Sequence, residues 1–226
     1  MRTILVGGGK GGVGKSSISA GLARSLSAAG QRVGLLDADL SGPSQALLFE
    51  CSGLEVRDGA ITPARSSDGV QVISSSLVAR STNALVWSDA TAVSAINLLT
   101  DSKVWRDVDT LVVDLPPGHG EIPTRVAKNL PDSHAVLVTT GSPLALEECS
   151  RAMAFFGRLE IPVLGVVHNM SHYKCPHCMH DSPVFAASVR ERFSLSSEVF
   201  LEVAFGEDPS PGRGLEPLVD AVLRRD

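Results

Sequence analysis

The sequence predicts an α/β fold built on a doubly wound, mostly parallel sheet with helices on both faces. Three observations carry that expectation. Short apolar runs alternate with stretches of helical period, as repeated strand–crossover–strand units require. Val, Leu, Ile and Ala dominate the apolar residues and aromatics make up only 4%, the composition of parallel strands covered on both sides. Each chemically distinctive cluster also follows closely on a run that reads as a strand, which is where open α/β sheets place their ligands.

In chain order, Thr3–Val6 is a short buried strand that ends in glycines. From Gly14 to Ala29 the residues Ile18, Leu22, Ala23 and Leu26 recur at helical spacing, and Gly30 stops the run. Val33–Leu36 is the second strand and stops at Asp37. Residues Ser41–Arg65 are rich in Gly, Ser and Pro and weakly patterned, so a mobile loop is expected there. Val70–Ile73 and Thr110–Val113 are the third and fourth strands, the latter stopping at Asp114. Ala135–Thr139 and Val163–Val167 follow, with a helix over Leu144–Arg158 between them. Near the end, Leu215, Leu218, Val219, Val222 and Leu223 share one helical face. Only Arg224 and Arg225 are basic there, too few for an anionic-lipid anchor, so this helix is expected to pack on its own domain.

With 226 residues, 43% apolar, the chain suits one domain with a large core. A net charge of −5 argues against a general nucleic-acid binder. No apolar stretch approaches the roughly 18–20 residues of a membrane span, and the N-terminus lacks a signal-peptide pattern. Four cysteines are too few for a disulfide scaffold, and a CxxC then reads as metal or redox chemistry. A cytoplasmic protein with no membrane or nucleic-acid partner is expected.

Gly7-Gly8-Gly9-Lys10-Gly11-Gly12-Val13-Gly14-Lys15-Ser16-Ser17 lies between the first strand and the first helix and satisfies GxxxxGK[ST]. Glycines let backbone N–H groups from Gly9 through Gly14 turn inward around phosphate oxygens, and the helix N-terminus adds partial positive charge. This is a P-loop, and the whole chain 1–226 is expected to be a single P-loop ATPase domain. Lys15 should reach the β- and γ-phosphates, Ser16 should ligate Mg²⁺, and Ser17 should meet the α-phosphate. Lys10, a second lysine inside the loop, resembles the deviant Walker A of the dimerising ATPases that include MinD, ParA and the nitrogenase iron protein. That resemblance implies a face-to-face dimer in which Lys10 reaches the partner's nucleotide, as an arginine finger does.

Asp37-Ala38-Asp39-Leu40-Ser41-Gly42-Pro43-Ser44 and Asp114-Leu115-Pro116-Pro117-Gly118-His119-Gly120 each follow a strand. Phosphoryl transfer asks the protein for metal placement and an oriented nucleophile. Asp114 is the expected Mg²⁺ carboxylate, Asp37 shares its shell, and Asp39 orients the attacking water. Gly118 and Gly120 let the second loop follow the γ-phosphate.

Cys175-Pro176-His177-Cys178 supplies two thiolates, which cannot by themselves complete a four-coordinate site. Two chains could join their pairs around an iron–sulfur cluster, or around zinc with help from His172, His177 or His180; a dithiol–disulfide couple is the third reading. Spacing alone leaves cluster and zinc open. Cys51 and Cys149 read as structural.

These motifs together resemble the Mrp/ApbC family of iron–sulfur cluster carrier ATPases, which reads roughly KGGVGKS, DxDxxGPS, DxPPGTGD, VxNMS and CPxC. The match runs from residue 2 to about 178 through Lys10–Ser16, Asp37–Ser44, Asp114–Gly120, Val167–Ser171 and Cys175–Cys178. The resemblance implies slow Mg²⁺-dependent ATP hydrolysis, a homodimer holding a 4Fe–4S cluster on Cys175 and Cys178, and apo iron–sulfur proteins as clients. It also implies that Asn169 hydrogen-bonds the adenine, whose N6/N7 edge suits an amide. His119, Glu121 and Gly141 depart from the family's usual Thr, Asp and Pro, and the late segment Val203–Pro209 only approximates its IPxDP. A MinD/ParA-like positioning ATPase and a zinc or nickel metallochaperone are the competing expectations.

Overall fold

The computed structural model describes residues 1–57, 60–78, 88–185, 189–193, 198–207, 209, 211 and 214–224. The strands are β1 (Arg2–Gly7), β2 (Val33–Asp37), β3 (Glu55–Arg57), β4 (Ala60–Thr62), β5 (Ala64–Arg65), β6 (Gln71–Ile73), β7 (Thr110–Asp114), β8 (Ser133–Thr139), β9 (Val163–Asn169), β10 (His172–Lys174), β11 (Asp181–Pro183) and β12 (Val199–Val203). The helices are α1 (Lys15–Ala28), α2 (Gln45–Leu48), α3 (Ser75–Val78), α4 (Asp89–Leu99), α5 (Glu121–Asn129), α6 (Pro143–Arg158), α7 (Val189–Phe193) and α8 (Glu216–Leu223).

Eight strands form one sheet in the order β12-β9-β8-β1-β7-β2-β6-β5, parallel throughout except for the β5–β6 edge pair. The expected doubly wound sheet is therefore what the chain forms. Alternation along each strand divides the core into two layers. Ile4, Val6, Leu35 and Val112 face a cluster with Ile18, Leu22 and Leu26 of α1 and Leu218 and Val222 of α8. Leu5, Leu36, Leu111 and Val113 face the other, with Ile96 of α4, Val126 of α5 and Cys149, Ala152 and Phe156 of α6. The C-terminal helix thus packs on its own sheet, as its apolar face predicts. Among the described residues no helix is long and apolar enough to cross a membrane.

Two expectations need correction. Residues Ser41–Arg65 are not a featureless loop: they hold α2, the antiparallel β3–β4 pair and β5. Phe49, 3% exposed, anchors the segment in the α1 layer, with the Arg24 guanidinium 4.7 Å from its ring centroid. The edge strand β12 also escaped the periodicity argument, because Val199, Phe200, Leu201, Glu202 and Val203 do not alternate cleanly in burial. Asp208 and Arg225 lie outside the described residues.

Candidate nucleotide and cysteine site

Parallel register brings the motif-bearing strand ends to one edge. Asp37 at the end of β2 pairs with Asp114 at the end of β7, and Val6 of β1 pairs with the same Asp114. Gly7 pairs with Leu137 of β8, Thr139 with His168 of β9, and Asn169 with Val203 of β12. The P-loop, both aspartate loops and Asn169 therefore open on the same side, as the sequence implies.

The P-loop runs from Gly7 to Lys15, where α1 begins. Gly12 (φ 81°) and Gly14 (φ 91°) both occupy the left-handed region, and a Cβ on Gly14 would run into the Asn169 amide nitrogen. Glycine is required there for both conformation and space. Lys10 is exposed, whereas Lys15 is 7% exposed and its Nζ donates to the Lys10 carbonyl at 3.4 Å. Burial lowers the Lys15 pKa, opposed by the nearby charges of Asp114 and Asp39. Ser16 is half-buried and Ser17 exposed.

Asp37 is fully buried, and its Oδ2 accepts from the Ser44 N–H (2.9 Å), the Gln45 N–H (3.0 Å) and the Ser74 hydroxyl (3.0 Å). Burial still pushes its pKa up to about 6, with the Asp114 charge adding to the rise. Asp114, 1% exposed, is raised by burial and held by hydrogen bonds from Ser16, Gln45 (2.7 Å) and Ser19 (3.2 Å). Two carboxylates on neighbouring strands about 5 Å apart repel by about 3 kcal/mol at an effective dielectric near 20. Such a pair stays ionised together only beside donors and cations, and Lys15, Ser16 and Gln45 surround it. Asp39 lies further out: its N–H donates to Asp37 Oδ1 (3.3 Å) and its Oδ1 accepts from Gly42 N–H (3.0 Å).

Sequence reasoning missed Gln45, Ser19 and Ser74. Ser19 is one helical turn beyond Lys15, which a helical projection from the P-loop would have found. Gln45 directly follows the Asp37–Ser44 motif, but nothing in its spacing shows that it turns inward.

Asn169 is 7% exposed and its amide donates to the Val13 carbonyl at 2.9 Å. It thus ties the end of β9 to the P-loop backbone. Three residues later begins the β10–β11 pair, which carries the cysteines in its turn. Cys175 N–H donates to the His180 carbonyl (3.0 Å) and Met179 N–H to the Cys175 carbonyl (2.9 Å). The N–H groups of Cys178 and His177 point at Cys175 Sγ and, with the Cys178 side chain, lower its pKa. Thiolate is the form that binds metals, and these donors favour it at Cys175. Met179 (φ 58°) closes it in the left-handed region, an uncommon conformation for a side-chain-bearing residue. Cys178 is exposed and Cys175 half-buried; neither is in a disulfide. Among the described residues, no three His, Cys, Asp or Glu side chains are grouped to hold a metal ion. Cys149 is fully buried on α6, and burial pushes its pKa up to about 12.

A family profile described as ParA, the NUBPL iron-transfer P-loop NTPases, matches residues 1–206. The chain is 36% identical over 217 residues to the iron-sulfur cluster carrier protein of Escherichia coli K12, covering 92% of this chain and 59% of that one. It is 37% identical over 203 residues to the carrier of the same name from Pseudomonas fragi (88% and 70%). An Arabidopsis thaliana mitochondrial iron-sulfur protein required for NADH dehydrogenase is 35% identical over 218 residues (92% and 69%). The chain therefore spans about three-fifths of the Escherichia coli relative's length. Among solved structures, a nucleotide-binding protein from Archaeoglobus fulgidus in complex with ADP superposes with a TM-score of 0.73 at 28% identity, covering 98% and 86% of the two chains. The cell division ATPase MinD of Pyrococcus furiosus shares the fold at a TM-score of 0.56 and 21% identity (75% and 72%).

Proposed function

Because the chain belongs to the family of NUBPL iron-transfer P-loop NTPases, we propose that it is an ATP-hydrolysing iron–sulfur cluster carrier that works as a cytoplasmic homodimer. All of 1–226 acts as one P-loop ATPase domain, and the cargo is a 4Fe–4S cluster delivered to apo-proteins. The observation that carries this reading is the cysteine knuckle. It stands six residues beyond Asn169, which is hydrogen-bonded to the P-loop itself. A cargo site and a nucleotide site joined through one strand end are what an ATP-driven carrier needs.

The residues around Asp114 fit a magnesium ion: Ser16 offers a hydroxyl, Asp114 a carboxylate, Asp37 a second carboxylate in its shell, and Gln45 Oε1 is a buried acceptor with no partner among the described residues. Held by these residues beside ATP, a magnesium ion would supply positive charge to offset that developing on the transferring phosphoryl group. Gly9, Gly11, Gly12, Val13 and Gly14 wrap the phosphates with backbone N–H groups, and Ser17 serves the α-phosphate. Lys15 binds the β- and γ-oxygens of its own nucleotide. Lys10, exposed and unburdened by burial, extends to the nucleotide of a facing copy. Asp39 lies beyond the Asp37 anchor in the same loop and orients the attacking water. Asn169 turns its amide to the adenine edge while keeping one proton on Val13, which a two-proton amide allows.

Each knuckle offers two thiolates and a 4Fe–4S cluster needs four, so two chains hold one cluster between them. Anaerobic reconstitution with iron and sulfide should give four irons per dimer and a broad absorbance near the visible edge, both lost in Cys175→Ala and in Cys178→Ala. Zinc bound at one per dimer and no cluster would instead make the knuckle a dimer clamp. A metal-free protein with unimpaired cysteine variants would leave the positioning-ATPase reading.

A further inference from the structure

Gln45 is the first residue of α2 and its side chain is fully buried. Its Nε2 donates to the Ser16 carbonyl at 3.0 Å and to Asp114 Oδ2 at 2.7 Å. Both partners only accept, so the amide cannot be flipped: Oε1 would then face a carboxylate and a carbonyl. The backbone N–H of the same residue donates to Asp37 Oδ2 at 3.0 Å. One residue therefore touches the P-loop at the serine expected to meet the metal, the carboxylate of β7 and the carboxylate of β2.

Oε1 is what remains. It is buried and has no hydrogen-bond partner among the described residues. A buried acceptor left unsatisfied is unfavourable, so such a group calls for a donor that arrives with a ligand. The acceptor sits on a residue already bonded to Asp114 and Ser16, and a water carried on a metal ion at those residues is a donor of the right kind. Gln45 is also the far end of the Asp37–Ser44 loop. Asp37 holds both ends of that loop at once, through the Asp39 N–H at one side and the Ser44 and Gln45 N–H groups at the other. Whatever displaces Gln45 displaces the loop that carries Asp39.

We propose that Gln45 is a positioning residue of the metal–nucleotide site, linking metal binding to the placement of the Asp37–Ser44 loop. Its amide holds Asp114 and the Ser16 carbonyl in place, and Oε1 accepts from a metal-bound water. The inference rests on the Mg·ATP reading above.

The test measures the affinity of a fluorescent ATP analogue with Mg²⁺ and with chelator, in wild type, Gln45→Met and Gln45→Asn, with melting of the nucleotide-free proteins alongside. Amide exchange of residues 38–44 with ATP, before and after adding Mg²⁺, is the second readout. In wild type Mg²⁺ should tighten binding and slow exchange in the loop. In both variants the Mg²⁺ enhancement, taken as the ratio of the two affinities, should fall about tenfold and the loop should lose its protection. Should Gln45→Met fail to fold, Gln45→Asn decides, because it keeps a polar amide in the buried site and is only too short to reach Asp114. Folded variants with the full enhancement and protection overturn the proposal. So does a wild-type loop whose exchange ignores Mg²⁺. A wild type in which Mg²⁺ leaves nucleotide affinity unchanged overturns the Mg·ATP reading itself, and this inference with it.

Discussion

Lys15 and Lys10 belong to one loop yet differ in surroundings: Lys15 is 7% exposed beside Asp114 and Asp39, while Lys10 faces solvent. Lys15→Ala should abolish ATP hydrolysis. Lys10→Ala should bind nucleotide as a monomer but lose turnover on the order of 10³-fold, the scale of a cation supplied across an interface. Steady-state turnover with a nucleotide titration separates them, and wild-type turnover in Lys10→Ala would end the trans role. Asp39→Ala should retain affinity for Mg·ATP and lose roughly 10²- to 10⁴-fold in rate, as for a lost proton-handling group, whereas Asp114→Ala should raise the Mg²⁺ requirement. A normal rate in Asp39→Ala would pass the role to Asp37. His168 offers a pH prediction. It is 5% exposed, and burial lowers its pKa below 6.5 against the pull of Glu202, 3.5 Å away. A histidine depressed on folding contributes stability that is fully present above the unfolded value and is lost as pH falls through the folded one. Melting temperature should therefore drop on acidification below about 6.5, less so in His168→Gln. Equal slopes would exclude His168 as the group responsible.

At the scale of elements, the sheet depends on close approaches that only small residues permit. Gly34 of β2 faces Trp105, and a Cβ there would stand 2.6 Å from the indole ring. Trp105 cannot retreat, since it is 1% exposed and its indole N–H donates to the Leu99 carbonyl at 2.8 Å. Gly34→Ala should destabilise the protein by about 1–3 kcal/mol, as overpacking does, and denaturant unfolding measures it. An unchanged midpoint would mean that α4 and its following turn yield more easily than their burial suggests. Periodicity was sufficient for β1, β2, β7, β8, β9, α1 and α6, whose burial follows the apolar pattern closely. It was insufficient for Ser41–Arg65 and for β12. In the first, one aromatic anchor organises a polar segment; in the second, an edge strand is paired on a single side. Neither condition leaves a periodic trace.

At the scale of the whole molecule, adding ATP should turn monomer into dimer in sedimentation, and Lys10→Ala should stay monomeric. A dimer in Lys10→Ala as stable as wild type would place the association elsewhere. The P-loop, the aspartates that close β2 and β7 and the cysteine pair were legible in the sequence because each is a pattern of residue types at fixed local spacing: GxxxxGKS, an aspartate closing a strand, CxxC. The edge they share was legible too, since parallel strands deliver every C-terminal end to the same side. Tertiary structure alone decided what lies between those motifs. Register set Asp37 beside Asp114, burial raised both, and the glutamine directly after the Asp37–Ser44 motif turned inward to bond β7 and the P-loop together. It also put Asn169 against Val13, 156 residues away, and so connected the cysteine hairpin to the nucleotide loop. Local spacing encodes what a motif can do; contacts between distant segments arise only when burial of the two apolar layers brings the strands into register.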